Sequence, residues 1–515
     1  MHATSTSVAL SGLEAHLVRV EVESSRGLPS FHLVGLPEAA VRESRVRVAA
    51  ALRRLEIDLA EWRITVNMAP AYLRKSGTSF DLAIALGTLA ALEHLDAEAL
   101  KGCVVLGELG LGGEIRAVRG VLPALLGARE RGFERAIVPV DNGAEAAVVT
   151  GVQSEVATCL ADVVEHLSGR PCLLAAEARP ASTPVIRHGV DLAEVRGQHA
   201  ARRALEIAAA GEHPLLMVGP PGAGKTMLAR RLPTILPAMT DEESLAVTAI
   251  HSVAGLLHSE DGLVRRRPFR APHHTLSGAA LLGGGDPIRP GEMSLAHHGV
   301  LFLDELLEFR RHVLEGMRQP LETGTVSISR ARCRTTYPAR PLLVSAVNPC
   351  PCGHHGDKRR SCSCSPDRIR RYQSRLSGPL LDRIDLHLRL SAVPIDELSS
   401  EPGEASALVR ERVAAARLIQ RERFLRDEAS TPYNATLTQA DLDRIGAPSE
   451  EGRRLLRCAV EQLGLSARAY MKLLRVARTI ADLAGRDGVD ADHVAEAIQS
   501  RCLDHRSRDA FARAS

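Results

Sequence analysis

Four apolar residues, Leu215 to Val218, run without a break into Gly219-Pro220-Pro221-Gly222-Ala223-Gly224-Lys225-Thr226, and helix-compatible text follows from Met227. A short, wholly apolar run bounded by glycines is the pattern of a strand buried on both faces. A glycine-rich turn between such a strand and a helix start gathers backbone N–H groups around an anion. The order strand, GxxxxGK[ST], helix therefore predicts an α/β layer with a phosphate loop. Lys225 is then expected on the β- and γ-phosphates and the Thr226 hydroxyl on Mg²⁺. A surface turn with a chance lysine is the competing reading, and it leaves the flanking strand and helix unexplained.

A second segment about 80 residues on, VLFLDE at 300–305, is a buried strand ending in two carboxylates. Asp304 suits the Mg²⁺ shell, and Glu305 suits polarisation of an attacking water. A third apolar run, LLVSAV at 342–347, ends at Asn348, a polar residue able to orient that water. Together the three segments predict a chain that binds ATP and hydrolyses it.

At 515 residues the chain has room for about three domains, and 45% hydrophobic residues suffice for substantial cores. The densest apolar stretch, LAIALGTLAAL at 82–92, is too short to span a bilayer and is expected as a buried helix. The first residues lack the charged start and apolar centre of a signal peptide, so a cytoplasmic protein with no membrane partner is expected. A net charge of +3 gives no global basic field, so any nucleic acid must be held by local patches. With aromatics at 3%, backbone tracking by arginine and lysine is favoured over base stacking.

The chain reads in parts. Residues 1–170 alternate strands and helices. In 17–23, Val18, Val20 and Val22 share one side, and in 63–68 so do Ile64, Val66 and Met68. Residues 171–188 have linker composition, 189–395 carry the nucleotide motifs, and 396–515 look helical.

Of ten cysteines, Cys103, Cys159, Cys172, Cys333, Cys458 and Cys502 are scattered and most simply small core residues. Cys350, Cys352, Cys362 and Cys364 form CPC-x9-CSC, enough thiolates to enclose one structural Zn²⁺. His354 and His355 are substitute ligands, and a redox-active or unliganded cluster is the alternative. The most basic window, 358–375, carries Lys358, Arg359, Arg360, Arg368, Arg370, Arg371 and Arg375. It suits phosphate contact, or else a solvated helix face or subunit interface. In 325–336 a β-hairpin is expected, with Arg330, Arg332 and Arg334 on one face. VRRRPFRAPHH at 264–274 and the glycines of 281–286 are further loop candidates.

The segments at 189–226, 270–306, 345–353, 378–386 and 465–483 together resemble the magnesium-chelatase-like branch of the AAA+ superfamily. End to end the chain resembles the ComM/YifB family. That resemblance implies a hexameric DNA helicase driving branch migration in natural transformation, acting on single-stranded and branched DNA. It implies that Arg383, in LLDRIDL, is an arginine finger donated to the neighbouring subunit's ATP, an effect worth roughly 10³–10⁵ in rate elsewhere. A surface salt bridge with Asp382 or Asp385 is the plain alternative for Arg383. Arg468, in LSARAY, matches the second sensor of the helical lid, with a solvent-facing helix start as its alternative. Arg196, Gly197 and Gln198 match the segment that cups adenine, and the nucleotide set extends to Met227. A finger acting in trans requires a heterologous interface, which closes into a ring.

Residues 8–165 resemble a Lon-protease-like domain. The implied fold class is α/β overall: an N-terminal Lon-protease-like (ribosomal S5 domain 2-like) α+β domain, a central AAA+ P-loop domain, and a C-terminal helical lid. Ser79 falls near the Lon nucleophile position, but the expected base position falls around Leu122, with no lysine in that helix. A serine without its base is a weak nucleophile, so no peptidase activity is expected. A magnesium-chelatase-type chaperone ATPase that does not act on DNA is the alternative to the DNA motor.

Overall fold

The computed structural model describes residues 1–177, 189–330, 333–357, 360–392, 394 and 401–501. Arg332, Lys358, Arg359, Cys502 and most of the expected linker lie outside the described residues.

Val18, Val20 and Val22 are fully buried, and so are Ile64, Val66 and Met68. Their strands, Glu14–Arg26 and Trp62–Ala69, pair antiparallel with Val20 opposite Met68 and Val22 opposite Val66. Period-two alternation thus places one side of each strand on a common core. These strands belong to an eight-stranded mixed sheet that runs from Leu174–Ala175 at one edge to Ser30–Val34 at the other. Leu174–Ala175 pairs with Gln153–Ala157, so the sheet extends past residue 170, into text expected to be linker. Two backbone ladder positions outweigh the loop-like composition there.

The apolar stretch at 82–92 is a helix, Asp81–Ala91, with every residue buried. A helix apolar all round must be enclosed. Gly87 lets it close on the sheet, since a Cβ there would meet Val22 Cγ2 at 2.9 Å. Asp81 is buried because it is paired: Arg47 Nε donates at 2.5 Å and Leu109 N at 3.2 Å, with Ser44 Oγ also donating.

The second sheet has five parallel strands in the order Phe269–Arg270, Val300–Leu303, Leu342–Val347, Leu215–Val218, Leu386–Arg389. The strands 215–218, 300–303 and 342–347 are wholly buried because helices cover both faces. Alternate residues feed two cores. Leu215, Met217, Val300, Phe302 and Val344 join one, and Leu216, Val218, Leu301, Leu303 and Leu343 the other. The result is a mixed α/β chain with a parallel sheet.

Five α-helices follow from Ser406–Leu425 to Ala491–Gln499. Val409, Val413, Leu473 and Val476 share one core with Ala201, Leu205 and Leu228, so these helices pack on the helices flanking the phosphate loop. The two sheets meet through the helix Asp241–Ala254, whose Ala249 and Leu245 pack into the N-terminal core. Ser252 Oγ donates to Glu145 at 2.5 Å, and Gly120 N donates to Ser252 O at 3.3 Å. Among the described residues no helix is long and apolar enough to cross a membrane.

Candidate functional site

The phosphate loop leaves its strand at Gly219, where a Cβ would lie 2.8 Å from Leu390 O. Gly222 and Gly224 take φ of 79° and 84°, left-handed values that glycine adopts without strain. The helix Lys225–Ile235 starts directly after. Lys225 Nζ donates to Gly219 O at 2.6 Å, Pro220 O at 3.0 Å and Asn348 Oδ1 at 2.9 Å. The ammonium is thus held between two loop carbonyls and the end of the neighbouring strand. Burial pushes this ammonium down to about 8, against the pull of Asp304 and Glu305.

Thr226 Oγ1 donates to Asp304 Oδ2 at 2.8 Å, and Glu305 N donates to Asp304 Oδ1 at 3.0 Å. The sheet order explains the meeting. The strand ending at Asn348 lies beside the phosphate-loop strand, and the strand ending before Asp304 lies next to it. Glu305 is exposed, with φ of 51°. Its carboxylate lies 3.4 Å from His274 Nδ1, and that ring stands edge-on to Phe309 at 6.4 Å. His274 is a site neighbour that sequence reading missed, and the only signal was the His-His pair after Arg270. Oxygens of Thr226 and Asp304 suit the hard Mg²⁺ ion.

Arg196 is exposed, Gly197 is buried with φ of 63°, and Gln198 Nε2 donates to Ser391 O at 2.9 Å. Met227 is 45% exposed on the first turn after the loop, while Ala223 is buried beneath it. Arg468 is exposed in the first turn of the helix Ala467–Leu483, behind the N-cap Ser466.

Arg383 does not form the surface pair with Asp382 or Asp385. Its guanidinium donates to Arg318 O at 3.1 Å and Pro379 O at 2.6 Å, and it pairs with Glu322 at 2.6 Å. Asp385 turns inward instead, because His213 and Lys472 hold it.

The four clustered thiols lie within 4.8 Å of one another. Cys350 and Cys352 are 3.3 Å apart, Cys352 and Cys362 3.5 Å, Cys350 and Cys362 3.7 Å. Zn–S bonds of about 2.3 Å place tetrahedral sulfurs about 3.8 Å apart, so the set fits zinc. Burial and the Cys352 thiol push Cys350 up. Against its own desolvation, N–H groups of His354 and Ser363 hold Cys352 down. His354 faces Asp357 at 3.2 Å rather than serving as a ligand. Gly353 abuts the phosphate loop, since a Cβ there would lie 2.5 Å from Pro221 Cδ. The scattered cysteines are not all core: Cys103 is buried and Cys159 half-buried, whereas Cys172 and Cys458 are exposed. Cys458 falls on the outer face of a helix that turns Leu456 and Ala459 inward.

The basic window forms the helix Pro366–Gln373, with Ile369 and Tyr372 inward and Arg368, Arg370 and Arg371 exposed. Arg360 is exposed as well. Arg375 is tied to Leu307 O and Glu308, both at 3.1 Å. The hairpin exists as Thr325–Arg330 and Cys333–Pro338. Its register pairs Arg330 with Cys333 and Ser329 with Arg334. Directly paired residues share a face, so Arg330 and Arg334 lie on opposite faces, not on one. The antiparallel register reverses the alternation that a single strand would keep. In the segment at 264–274 two arginines are spent internally, while Arg266 is exposed. Arg267 donates to Pro237 O, His298 O and Glu243, Arg270 to Glu292, and residues 269–270 form a sheet edge. The glycines of 281–286 include the strand Gly283–Gly284 of a small hairpin.

Ser79 lines a 420 Å³ cleft with Thr78, Glu108, Arg119 and Arg289, and no lysine lines it. Leu122 is fully buried, and Lys75 is committed to Gly35 O and Pro70 O.

Over 509 residues the chain is 45% identical to the competence protein ComM of Haemophilus influenzae, covering 96% of each. Over 499 residues it is 42% identical to YifB of Escherichia coli, again covering 96% of each. The chain belongs to the ComM/YifB family. It matches the family described as magnesium chelatase, subunit ChlI, over residues 191–398, with the N-terminal ChlI description over 20–142 and the C-terminal one over 403–501. A chloroplastic magnesium-chelatase subunit ChlI-2 of Arabidopsis thaliana is 24% identical over 229 residues, covering 44% of this chain and 48% of that protein. The ComM/YifB chain thus carries a magnesium-chelatase-like AAA+ fold, and that family suggests an ATPase using ATP and Mg²⁺.

Proposed function

We propose that this chain is an ATP hydrolase that assembles as a ring of six identical subunits in the cytoplasm and moves DNA strands. Its task is branch migration during homologous recombination, as in natural transformation. The observation that carries the ATPase part is the convergence of Lys225, Thr226, Asp304 and Asn348 through two hydrogen bonds, Lys225 to Asn348 and Thr226 to Asp304. On binding ATP, Lys225 exchanges loop carbonyls for phosphate oxygens. Thr226 and Asp304 would hold Mg²⁺, which would supply charge neutralisation at the phosphates. Glu305 polarises the attacking water and Asn348 orients it. Arg383 completes the neighbouring subunit's site, Arg468 reaches the γ-phosphate, and Arg196 to Gln198 border the adenine.

In this reading residues 1–170 form a Lon-like, non-proteolytic platform, 189–395 the ATPase core, and 396–515 a helical lid. The four cysteines hold zinc beside the phosphate loop. The DNA part is supported by the exposed Arg360, Arg370 and Arg371 and by the hairpin arginines Arg330 and Arg334. The name of the Haemophilus relative, a competence protein, points the same way.

The test is ATP hydrolysis with and without single-stranded DNA, in the wild type, Lys225→Ala and Arg383→Ala. Stimulation by DNA, lost in both variants, is expected. Hydrolysis indifferent to any DNA would sink the DNA part and leave a chelatase-like chaperone ATPase, the reading that the Arabidopsis match favours.

A further inference from the structure

Asp385 is 3% exposed, two residues after Arg383. Its Oδ2 lies 2.8 Å from His213 Nδ1 and its Oδ1 2.8 Å from Lys472 Nζ. Both partners are themselves buried. Lys472 sits four residues after Arg468 on the helix Ala467–Leu483, which puts the two on one helix face. His213 Nε2 meets Thr479 Oγ1 of the same helix at 2.7 Å. The backbone adds a third element. Asp385 N and Leu386 N donate to Pro214 O at 3.1 and 3.0 Å, and Pro214 precedes the strand that ends in the phosphate loop. Arg501 closes the turn by donating to Ile384 O at 3.2 Å and Asp385 O at 3.1 Å.

One buried carboxylate therefore joins three pieces: the turn bearing Arg383, the helix bearing Arg468, and the lead-in to the phosphate loop. Burying an ion pair here gains little stability over an apolar filling of the same volume. What it gives is a fixed spacing between turn and helix, since Oδ2 is hydrogen-bonded to His213 while Oδ1 is in ion-pair contact with Lys472 Nζ on the other side. An apolar contact would let them slide.

We infer that Asp385, with Lys472 and His213, is a positioning group that couples the helix reading a subunit's own nucleotide to the finger acting on its neighbour's. This rests on the trans-acting finger proposed above. A shift of the helix on ATP binding is then carried through Lys472 and Asp385 to Arg383, and successive sites fire in relation to one another.

The experiment compares wild type, Asp385→Asn, Lys472→Met, the double variant and Thr479→Val. It reads thermal stability, binding of a fluorescent ATP analogue, and the ATP dependence of steady-state hydrolysis. The expected result for Asp385→Asn is analogue affinity within about twofold of wild type, kcat lower by about tenfold to a hundredfold, and a Hill coefficient falling to about 1. The double variant should lose no more than the worse single variant, because the two groups act as a pair. Thr479→Val leaves the ion pair in place and removes the hydroxyl that His213 Nε2 and Asn434 Nδ2 share, so it should show the same change in smaller degree even if Asp385→Asn fails to fold. A cooperative wild type whose folded variants keep its Hill coefficient would overturn the coupling and leave the ATPase reading intact. A wild type that hydrolyses ATP without cooperativity would overturn the coupling between sites itself. No hydrolysis at all would overturn the functional reading itself.

Discussion

Cys362 stands 3.5 Å from Cys352 and 3.7 Å from Cys350, so the thiols are placed to share one metal ion. Cys362→Ser should abolish stoichiometric zinc, measured by elemental analysis of the purified protein. A structural zinc contributes on the order of 10 kcal/mol to local folding in small zinc domains. Because Gly353 rests on Pro221, loss of the metal should also weaken ATP binding rather than act on the knuckle alone. An ATP titration of metal-free protein that matches the metal-loaded form would refute that link. The four cysteines were legible as a candidate ligand set from spacing, whereas their seat against Pro221, about 130 residues earlier in the chain, was not. Arg383 shows the same limit. Its partner Glu322 lies far off in sequence, and the nearby acids Asp382 and Asp385 were the only candidates that spacing could offer.

The helix Gln439–Ile445 is held at its start by a capping box between Thr438 and Asp441. Asp441 is 1% exposed and also accepts from Ser430 N at 3.0 Å, Ser430 Oγ at 2.5 Å and Arg444 at 3.0 Å. Burial alone would raise its pKa, but these bonds with Ser430 and Thr438 outweigh it and hold the carboxyl well below the usual range. A depressed folded pKa stabilises above the unfolded aspartate value of about 3.9 and is lost as pH falls toward the folded one. Asp441→Asn should therefore cost about 1–3 kcal/mol at neutral pH, with the gap to wild type narrowing as pH drops below about 4. Denaturant melts at two pH values check it, and a pH-independent gap would assign the loss to packing. Strands were the most legible elements, since burial on both faces leaves only apolar residues in 215–218 and 300–303. The hairpin was legible as a hairpin, but its faces were not, because register depends on where the turn falls.

At the scale of the whole molecule, the two sheets are joined around Glu145. Its carboxylate accepts from Ser252 Oγ at 2.5 Å, Asn142 Nδ2 at 2.6 Å and Leu122 N at 3.1 Å. Glu145→Ala leaves Ser252 Oγ and Leu122 N without this acceptor and Asn142 Nδ2 with Val118 O alone, so a loss of roughly 2–5 kcal/mol is expected. Limited proteolysis should then cleave between the two sheets sooner than in wild type, and an unchanged digestion pattern would refute the assignment. Nothing in the spacing of Asn142, Glu145 and Ser252 announced this junction, since they are ordinary polar types and Ser252 lies 107 positions after Glu145. The sequence by itself determined the two α/β layers, the phosphate loop and the acidic strand end, because these depend on local periodicity and on residue types that few other structures need. Tertiary structure alone decided which strand ends meet, which arginines are spent on internal carboxylates, and how Asp385 ties turn to helix. Those outcomes depend on sheet order and on contacts between segments distant in the chain, where local pattern carries no information.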